Sequence, residues 1–197
     1  MTPNKKIIGI TGNSGSGKTT VANILKDMGG HAIDADTVAH GVMDVGKPAY
    51  KKIISAFGDE ILDTCGKIDR AKLAKIVFND VKRRTQLEKI VHPMIMDEIL
   101  AELEQSDAPI VAVDAVLLVE GGLHHHCDAI WLITAQEEKR LRRITTRDNL
   151  SSEAAEARMR NQRDTTHISE LAQAVIKNDG DLSFLTSQIK EALNQIG

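Results

Sequence analysis

The densest chemistry in the chain lies at Gly12-Asn13-Ser14-Gly15-Ser16-Gly17-Lys18-Thr19, followed by Thr20. A glycine, four residues, a second glycine, then lysine and threonine is the spacing of a phosphate-binding loop. Glycines let successive backbone N–H groups turn inward as an anion nest that side chains would obstruct. Lys18 supplies a point charge for the β- and γ-phosphates, and the Thr19 hydroxyl a ligand for Mg²⁺. The run containing Ile7, Ile8 and Ile10 reads as a strand feeding the loop. Val21, Leu25 and Met28, with Ile24 beside them, share one helical face behind it. That helix aims its positive dipole end at the same phosphates. A chance match in a flexible loop would lack both flanks, so residues 12–20 are read as a nucleoside triphosphate site.

Phosphoryl transfer further requires charge neutralisation and a group that handles the acceptor's proton. Asp34 and Asp36 follow a short strand, His31-Ala32-Ile33, and an extended backbone would send both to the same side. Asp36 is expected to serve as base or orienter of an acceptor hydroxyl, with Asp34 helping to hold Mg²⁺. A solvated turn or helix cap is the competing reading of these aspartates. Asp114 ends a buried strand, where it could anchor a loop, hold a metal water or make a structural hydrogen bond. Seven arginines (140, 142, 143, 147, 158, 160 and 163) crowd one short segment. Arg140, Arg143 and Arg147 are spaced to share a helix face. Solvated helix arginines explain most of the seven. A mobile lid carrying Arg147, and then Arg143, onto the transferring phosphoryl explains the clustering. Asn178, beyond the last strand, is a candidate on the adenine side. Adjacent residues such as His124-His125-His126 do not easily converge on one ion, which disfavours a metal there. No N-K-x-D element follows a late strand to read guanine, which makes ATP the expected donor.

The elements that must position these groups alternate strand and helix, which implies βαβ units and a parallel sheet. Pro109–Ala115 and Ala129–Thr134 are near-continuous apolar runs, the pattern of buried parallel strands. Ala174-Val175-Ile176 is a final strand, and Asp181 is expected to cap a last helix carrying Leu182, Leu185, Ile189, Leu193 and Ile196. Residues 135–147 and 151–163 read as two charged helices around Asn149-Leu150, with Ser151 as N-cap. Thr37 to Glu104 is helical with turns near Gly46, Gly58 and Gly66. Pro93 is expected to begin a new helix there. This block is too long for a simple crossover and reads as an insertion shaping a second pocket. A net charge of −3 with no basic tail argues against a nucleic-acid partner. Five aromatics among 197 residues leave little for base stacking. No apolar run reaches a membrane span. Two cysteines without metal or disulfide spacing, and a polar start that leaves no room for a signal peptide, suggest a cytoplasmic protein.

The ordered set of motifs resembles the dephospho-coenzyme A kinases. The resemblance rests on IGITG and GSGKT at the start, D-A-D at 34–36 with Ala39, and Phe57-Gly58. It continues through IDRAKLAKIVF at 68–78, His92-Pro93 and DAVLLVE at 114–120, then Arg147-Asp148, Gln162 and IKNDG at 176–180. The chain departs where Asn13-Ser14 replace Gly-Ile, Val116 replaces proline, and Gln173 replaces aspartate. The resemblance implies an α/β fold: a three-layer phosphate-loop core with a parallel sheet, a helical acceptor-binding insertion and a helical lid. On that layout residues 1–36, 108–136 and 164–197 form the core, 37–107 the acceptor domain and 137–163 the lid. It also implies transfer of the ATP γ-phosphoryl to the ribose 3′-hydroxyl of dephospho-coenzyme A. Lys18 and Thr19 would serve ATP and Mg²⁺, Asp36 the hydroxyl, and Arg147 would come from the lid. Two other readings are carried forward: a related kinase with another hydroxyl acceptor, and a non-catalytic ATP-binding switch.

Overall fold

The computed structural model describes residues 5–162 and 165–196; Arg163, one of the clustered arginines, lies outside them. Strand β1 (Lys6–Thr11) enters the loop, and α1 (Lys18–Asp27) leaves it. Then come β2 (His31–Asp34), α2 (Ala35–Gly41), α3 (Pro48–Phe57), α4 (Arg70–Asn79) and α5 (Val81–Gln105). The chain returns through β3 (Ile110–Asp114), β4 (Ala129–Thr134), α6 (Glu137–Asp148) and α7 (Ser152–Arg160). It finishes with α8 (Thr166–Leu171), β5 (Ala174–Lys177) and α9 (Leu182–Gln195). Helix α8 had no counterpart in the pattern reading. It is a helix of 6 residues with one buried side chain, Ile168, too little for periodicity to register.

The strands form one parallel sheet in the order β2-β3-β1-β4-β5. β1 pairs with β3 from Lys6 opposite Ile110 to Ile10 opposite Asp114, and with β4 from Ile8 opposite Ala129. Both faces of the central strands are covered. Ile8, Ile10, Trp131, Ile133 and Ile176 pack on Val21 and Leu25 of α1 and on Leu185 and Ile189 of α9. Gly9 faces the other way, where any Cβ would strike Leu118 and Cys127. Burial on both faces is why these strands read as continuous apolar runs rather than alternating ones.

The chain divides into two compact units, one built from residues up to Ile33 and from Ser106 onward, the other Asp34–Gln105. The second is helical and has its own core, in which Val42, Ala49, Ile53, Phe57, Ile61, Leu73 and Val91 are buried.

Three expectations are corrected. Pro93 does not begin a helix but lies inside α5. It has no N–H to donate to the Lys89 carbonyl, but both residues are exposed, so water can take that carbonyl and the helix continues. The backbone also does not stay extended through Asp36. Asp34 is the last extended residue and caps α2, accepting from the amides of Asp36 at 2.9 Å and Thr37 at 3.2 Å. Asp36 therefore sits in the first turn of α2, with no shared strand face to place it beside Asp34. Leu182 is not part of the inner face of α9. It is exposed, and Ala192 joins Leu185 and Ile189 inside.

Candidate active site

The loop between β1 and α1 is built so that its carbonyls are occupied. Lys18 Nζ donates to Gly12 O at 3.1 Å, and the Ser16 amide to Asn13 O at 3.1 Å. Arg140 Nε donates to Ser14 O at 3.1 Å. Arg143 Nη1 donates to Gly15 O at 3.1 Å and to Ser16 O at 3.4 Å, while its Nη2 reaches Asn178 O at 3.0 Å. Asn178 Nδ2 completes the set on Ser16 O at 2.8 Å. A peptide whose carbonyl is held to one side presents its N–H to the other, and a run of such peptides is an anion-binding concavity.

Two glycines are required by this packing. Gly12 has φ +145°, and a Cβ there would collide with the Ile133 carbonyl of β4. Gly17 has φ +97° and would drive a Cβ into the Asn178 amide. Gly17 is also the N-cap of α1 and lends no side-chain cap to it. The first amides of α1, at Lys18, Thr19 and Thr20, are thus left for a ligand.

A cleft of about 820 Å³ opens at this helix end, lined by Gly17, Lys18, Thr19, Thr20, Arg143 and Arg147 among others. Lys139 and Arg142 of α6 line it too. Arg140, Arg143 and Arg147 do share one face of α6, and that face meets the loop. Arg147 Nη2 lies 3.5 Å from Ser14 Oγ, but most of its guanidinium is engaged by Asp148, at 2.7 Å and 2.9 Å. Arg158 of α7 donates to the same carboxylate at 2.6 Å. The Arg147 hydrogen bond, with both guanidinium charges nearby, holds the Asp148 carboxyl below its usual range. Arg140 also donates to Gln162 Oε1, just past α7. Burial favours its neutral form and Glu137 opposes that shift.

Asn13, Ser14, Ser16 and Asn178 are in the assembly without lining the cleft. Asn178, expected on the adenine side, is 7% exposed and braces the loop from behind. Arg140 and Asp114 are the positions that sequence reasoning underweighted. The helical spacing already put Arg140 on the face with Arg143. Thr19 Oγ1 donates to Asp114 Oδ2 at 3.3 Å, because β3 lies next to β1 and ends level with the loop. Sequence separation of 95 residues hid that pair. Asp34, in the other unit, spends Oδ1 on the α2 cap. Among the described residues no three His, Cys, Asp or Glu side chains gather to hold a metal. The rings of His124 and His125 lie with centroids 3.8 Å apart, tilted by 39°.

Backbone and side-chain hydrogen bonds absorb the departures at Ser14, Val116 and Gln173. Ser14 presents its carbonyl and hydroxyl to Arg140 and Arg147. The Val116 carbonyl accepts from Thr11 Oγ1 at 3.4 Å. Gln173 pairs with Ile130 through both its amide N–H, at 2.9 Å, and its side-chain oxygen, at 2.6 Å. That seats the start of β5 on β4.

Comparison with known proteins decides the affiliation. The model of the family described as dephospho-CoA kinase matches residues 6–183. The chain belongs to the dephospho-CoA kinase family. A dephospho-CoA kinase from Moorella thermoacetica is 41% identical over 194 residues, covering 96% of this chain and 92% of its own. One from Geobacter sulfurreducens is 40% identical over 188 residues, covering 94% and 95%. A solved Thermus thermophilus protein superposes with a TM-score of 0.85 at 34% identity, covering 98% of this chain and 99% of that one. A solved dephospho-CoA kinase from Campylobacter jejuni gives 0.71 at 31% identity, covering 98% and 97%. Shikimate kinase from Bacteroides thetaiotaomicron, at 12% identity and a TM-score of 0.57, shares the fold alone. The motifs that the family resemblance rested on span both units, so membership extends to the helical one. No helix among the described residues is long and apolar enough to cross a membrane.

Proposed function

We propose that this chain transfers the γ-phosphoryl group of ATP to the ribose 3′-hydroxyl of dephospho-CoA, giving CoA and ADP. The observation that carries the donor half is the convergence of the uncapped α1 terminus, Lys18, Arg143 and Arg147 on one cleft. The acceptor half rests on the family, whose members named above are dephospho-CoA kinases. In this reading the amides of Gly15, Gly17, Lys18, Thr19 and Thr20 hold the phosphates, and Lys18 neutralises charge between β and γ. Arg140, Arg143 and Asn178 keep the loop carbonyls turned away. Arg147 exchanges its Asp148 partner for the transferring phosphoryl as residues 137–163 act as a lid.

Thr19 and Asp114 offer two hard oxygen donors side by side, a set that suits Mg²⁺ completed by waters and phosphate oxygens. Bound there, the ion would neutralise charge on the β- and γ-phosphates. Asp36 would accept the proton of the 3′-hydroxyl or orient that hydroxyl. Asp34 supports it by fixing the Asp36 amide in the first turn of α2. The reading places the protein in the cytoplasm, where ATP and reduced thiols coexist.

The test is ADP release from ATP and Mg²⁺ across dephospho-CoA, nucleosides and pantetheine derivatives. Selective turnover of dephospho-CoA is expected. Turnover confined to another acceptor, or ATP binding with no acceptor-dependent release, overturns the proposal.

A further inference from the structure

The helical unit holds a pocket of about 430 Å³, within the size range of small-ligand sites. It lies where α2 ends and α4 begins. His40, Met43, Asp44, Lys67, Ile68 and Arg70 form its walls. The frame under the two cations is stiff. Asp63 Oδ1 accepts from the amides of Cys65 at 2.8 Å and Lys67 at 2.9 Å, closing a tight turn. The Tyr50 hydroxyl donates to the Gly66 carbonyl within that turn. Leu62 and Ile68 form an antiparallel bridge across it. Asp69 then caps α4 through the amides of Ala71 at 2.9 Å and Lys72 at 3.1 Å. Its carboxylate is committed to the helix end rather than to Arg70.

The other cations nearby have structural employment. Lys72 donates to the Leu62 carbonyl at 2.6 Å. Arg83 donates to the Ala56 carbonyl at 2.9 Å and lies over the Phe57 ring. Lys67 and Arg70 have neither an ion pair nor a side-chain hydrogen bond among the described residues. Among the charged side chains that line the pocket, these two cations face one acid, Asp44. Met43 and Ile68 supply an apolar wall.

We propose that this pocket binds the diphosphate ester of the acceptor, an assignment that rests on the proposed function. A diphosphate offers adjacent oxyanions at a spacing the planar Arg70 guanidinium can take two at a time, while Lys67 acts as a point charge. Asp44 weakens the site for a bare anion and provides an acceptor for a hydroxyl or amide donor beside the diphosphate. The apolar wall suits the carbon chain that continues from it. The pocket sets acceptor affinity and takes no part in the chemical step.

The test compares the full chain with Lys67→Gln, Arg70→Gln and the double variant, at saturating ATP and Mg²⁺. The acceptor KM is expected to rise about tenfold for each single variant and more for the double. The KM for ATP is expected to stay put, with the loss falling on acceptor KM rather than kcat. Asp44→Asn is expected to tighten acceptor binding by about two- to fivefold. Calorimetric titration of dephospho-CoA into wild type and the double variant reads the same pocket without turnover, and thermal melting checks that each variant is folded. An unchanged acceptor KM and Kd in a folded double variant, or a loss confined to kcat, overturns the assignment while leaving the kinase reading intact. Wild-type protein that neither binds nor phosphorylates dephospho-CoA overturns both. Wild-type binding that the double variant loses, without turnover by either, upholds the pocket and overturns only the proposed reaction.

Discussion

Arg143 joins three segments that are far apart in sequence: the loop carbonyls of Gly15 and Ser16, the Asn178 carbonyl beyond β5, and α6 itself. A lysine keeps the charge but cannot span those acceptors with one planar fork. Arg143→Lys is therefore expected to raise the KM for ATP about tenfold, leaving the acceptor KM unmoved. Steady-state kinetics with each substrate varied in turn checks this. An equal loss on both substrates would point to general disorder of the unit instead. Ser16 differs in kind. Its hydroxyl is buried and has no hydrogen-bond partner among the described residues, so burial costs free energy without return. Ser16→Ala is expected to hold or raise stability, by up to about 1 kcal/mol; a fall of that size in chemical denaturation would refute it. Asp36 has an exposed side chain in the first turn of α2, so its replacement has little to disturb structurally. Asp36→Asn should lower kcat by roughly 10²–10⁴ with ATP affinity little changed. Near-normal kcat would remove it from the proton-handling role.

At the scale of elements, what the sequence disclosed depended on how local the cause was. The loop and α1 were legible because glycine spacing and the face of Val21, Ile24 and Leu25 lie within one short stretch. So were the caps, since Ser151 accepts from the Ala154 amide at 3.2 Å and Asp181 from Phe184 at 2.8 Å. The same capping chemistry explains the misjudged geometry at Asp34, where the chain turns helical two residues earlier than an extended run through Asp36 implied. The Thr19–Asp114 pair and the bracing role of Asn178 were hidden, because both depend on strand order in the sheet. Pro93 exposes a different limit. Propensity predicts a break, but the helical core holds Val91 and packs Met94 and Ile95 on either side of the proline. Tertiary packing outweighs one lost hydrogen bond on a wet face. Pro93→Ala should then restore that bond and stabilise the protein by about 1–3 kcal/mol, less the entropy that alanine returns to the unfolded chain. Denaturant unfolding measures it. A destabilised Pro93→Ala variant would mean that the proline's fixed φ, rather than its surroundings, keeps α5 in one piece.

For the molecule as a whole, the sheet core carries a titratable group that none of the proposed chemistry uses. Cys127 packs against Gly9 and donates to the Leu123 carbonyl at 3.4 Å. Burial, with Asp128 beside it, pushes its thiol up to about 12, so it stays protonated and unreactive at neutral pH. Cys65 is exposed and should take up alkylating reagent first. The linkage to stability has a definite sign. From about pH 9 the unfolded chain releases the Cys127 proton while the folded chain retains it. The native state then binds more protons, and stability falls as pH rises from about 9 toward 12. The slope from this one group reaches at most about 1.4 kcal/mol per pH unit. The comparison that isolates the thiol is Cys127→Ala against wild type. Trp131, the only tryptophan, is fully buried in that core and reports its unfolding by fluorescence. The variant is expected to start less stable, from the small cavity beside Leu118, and then to lose less stability than wild type between pH 9 and 11. Parallel losses in the two proteins would show that the Cys127 thiol ionises in the folded chain as readily as in the unfolded one.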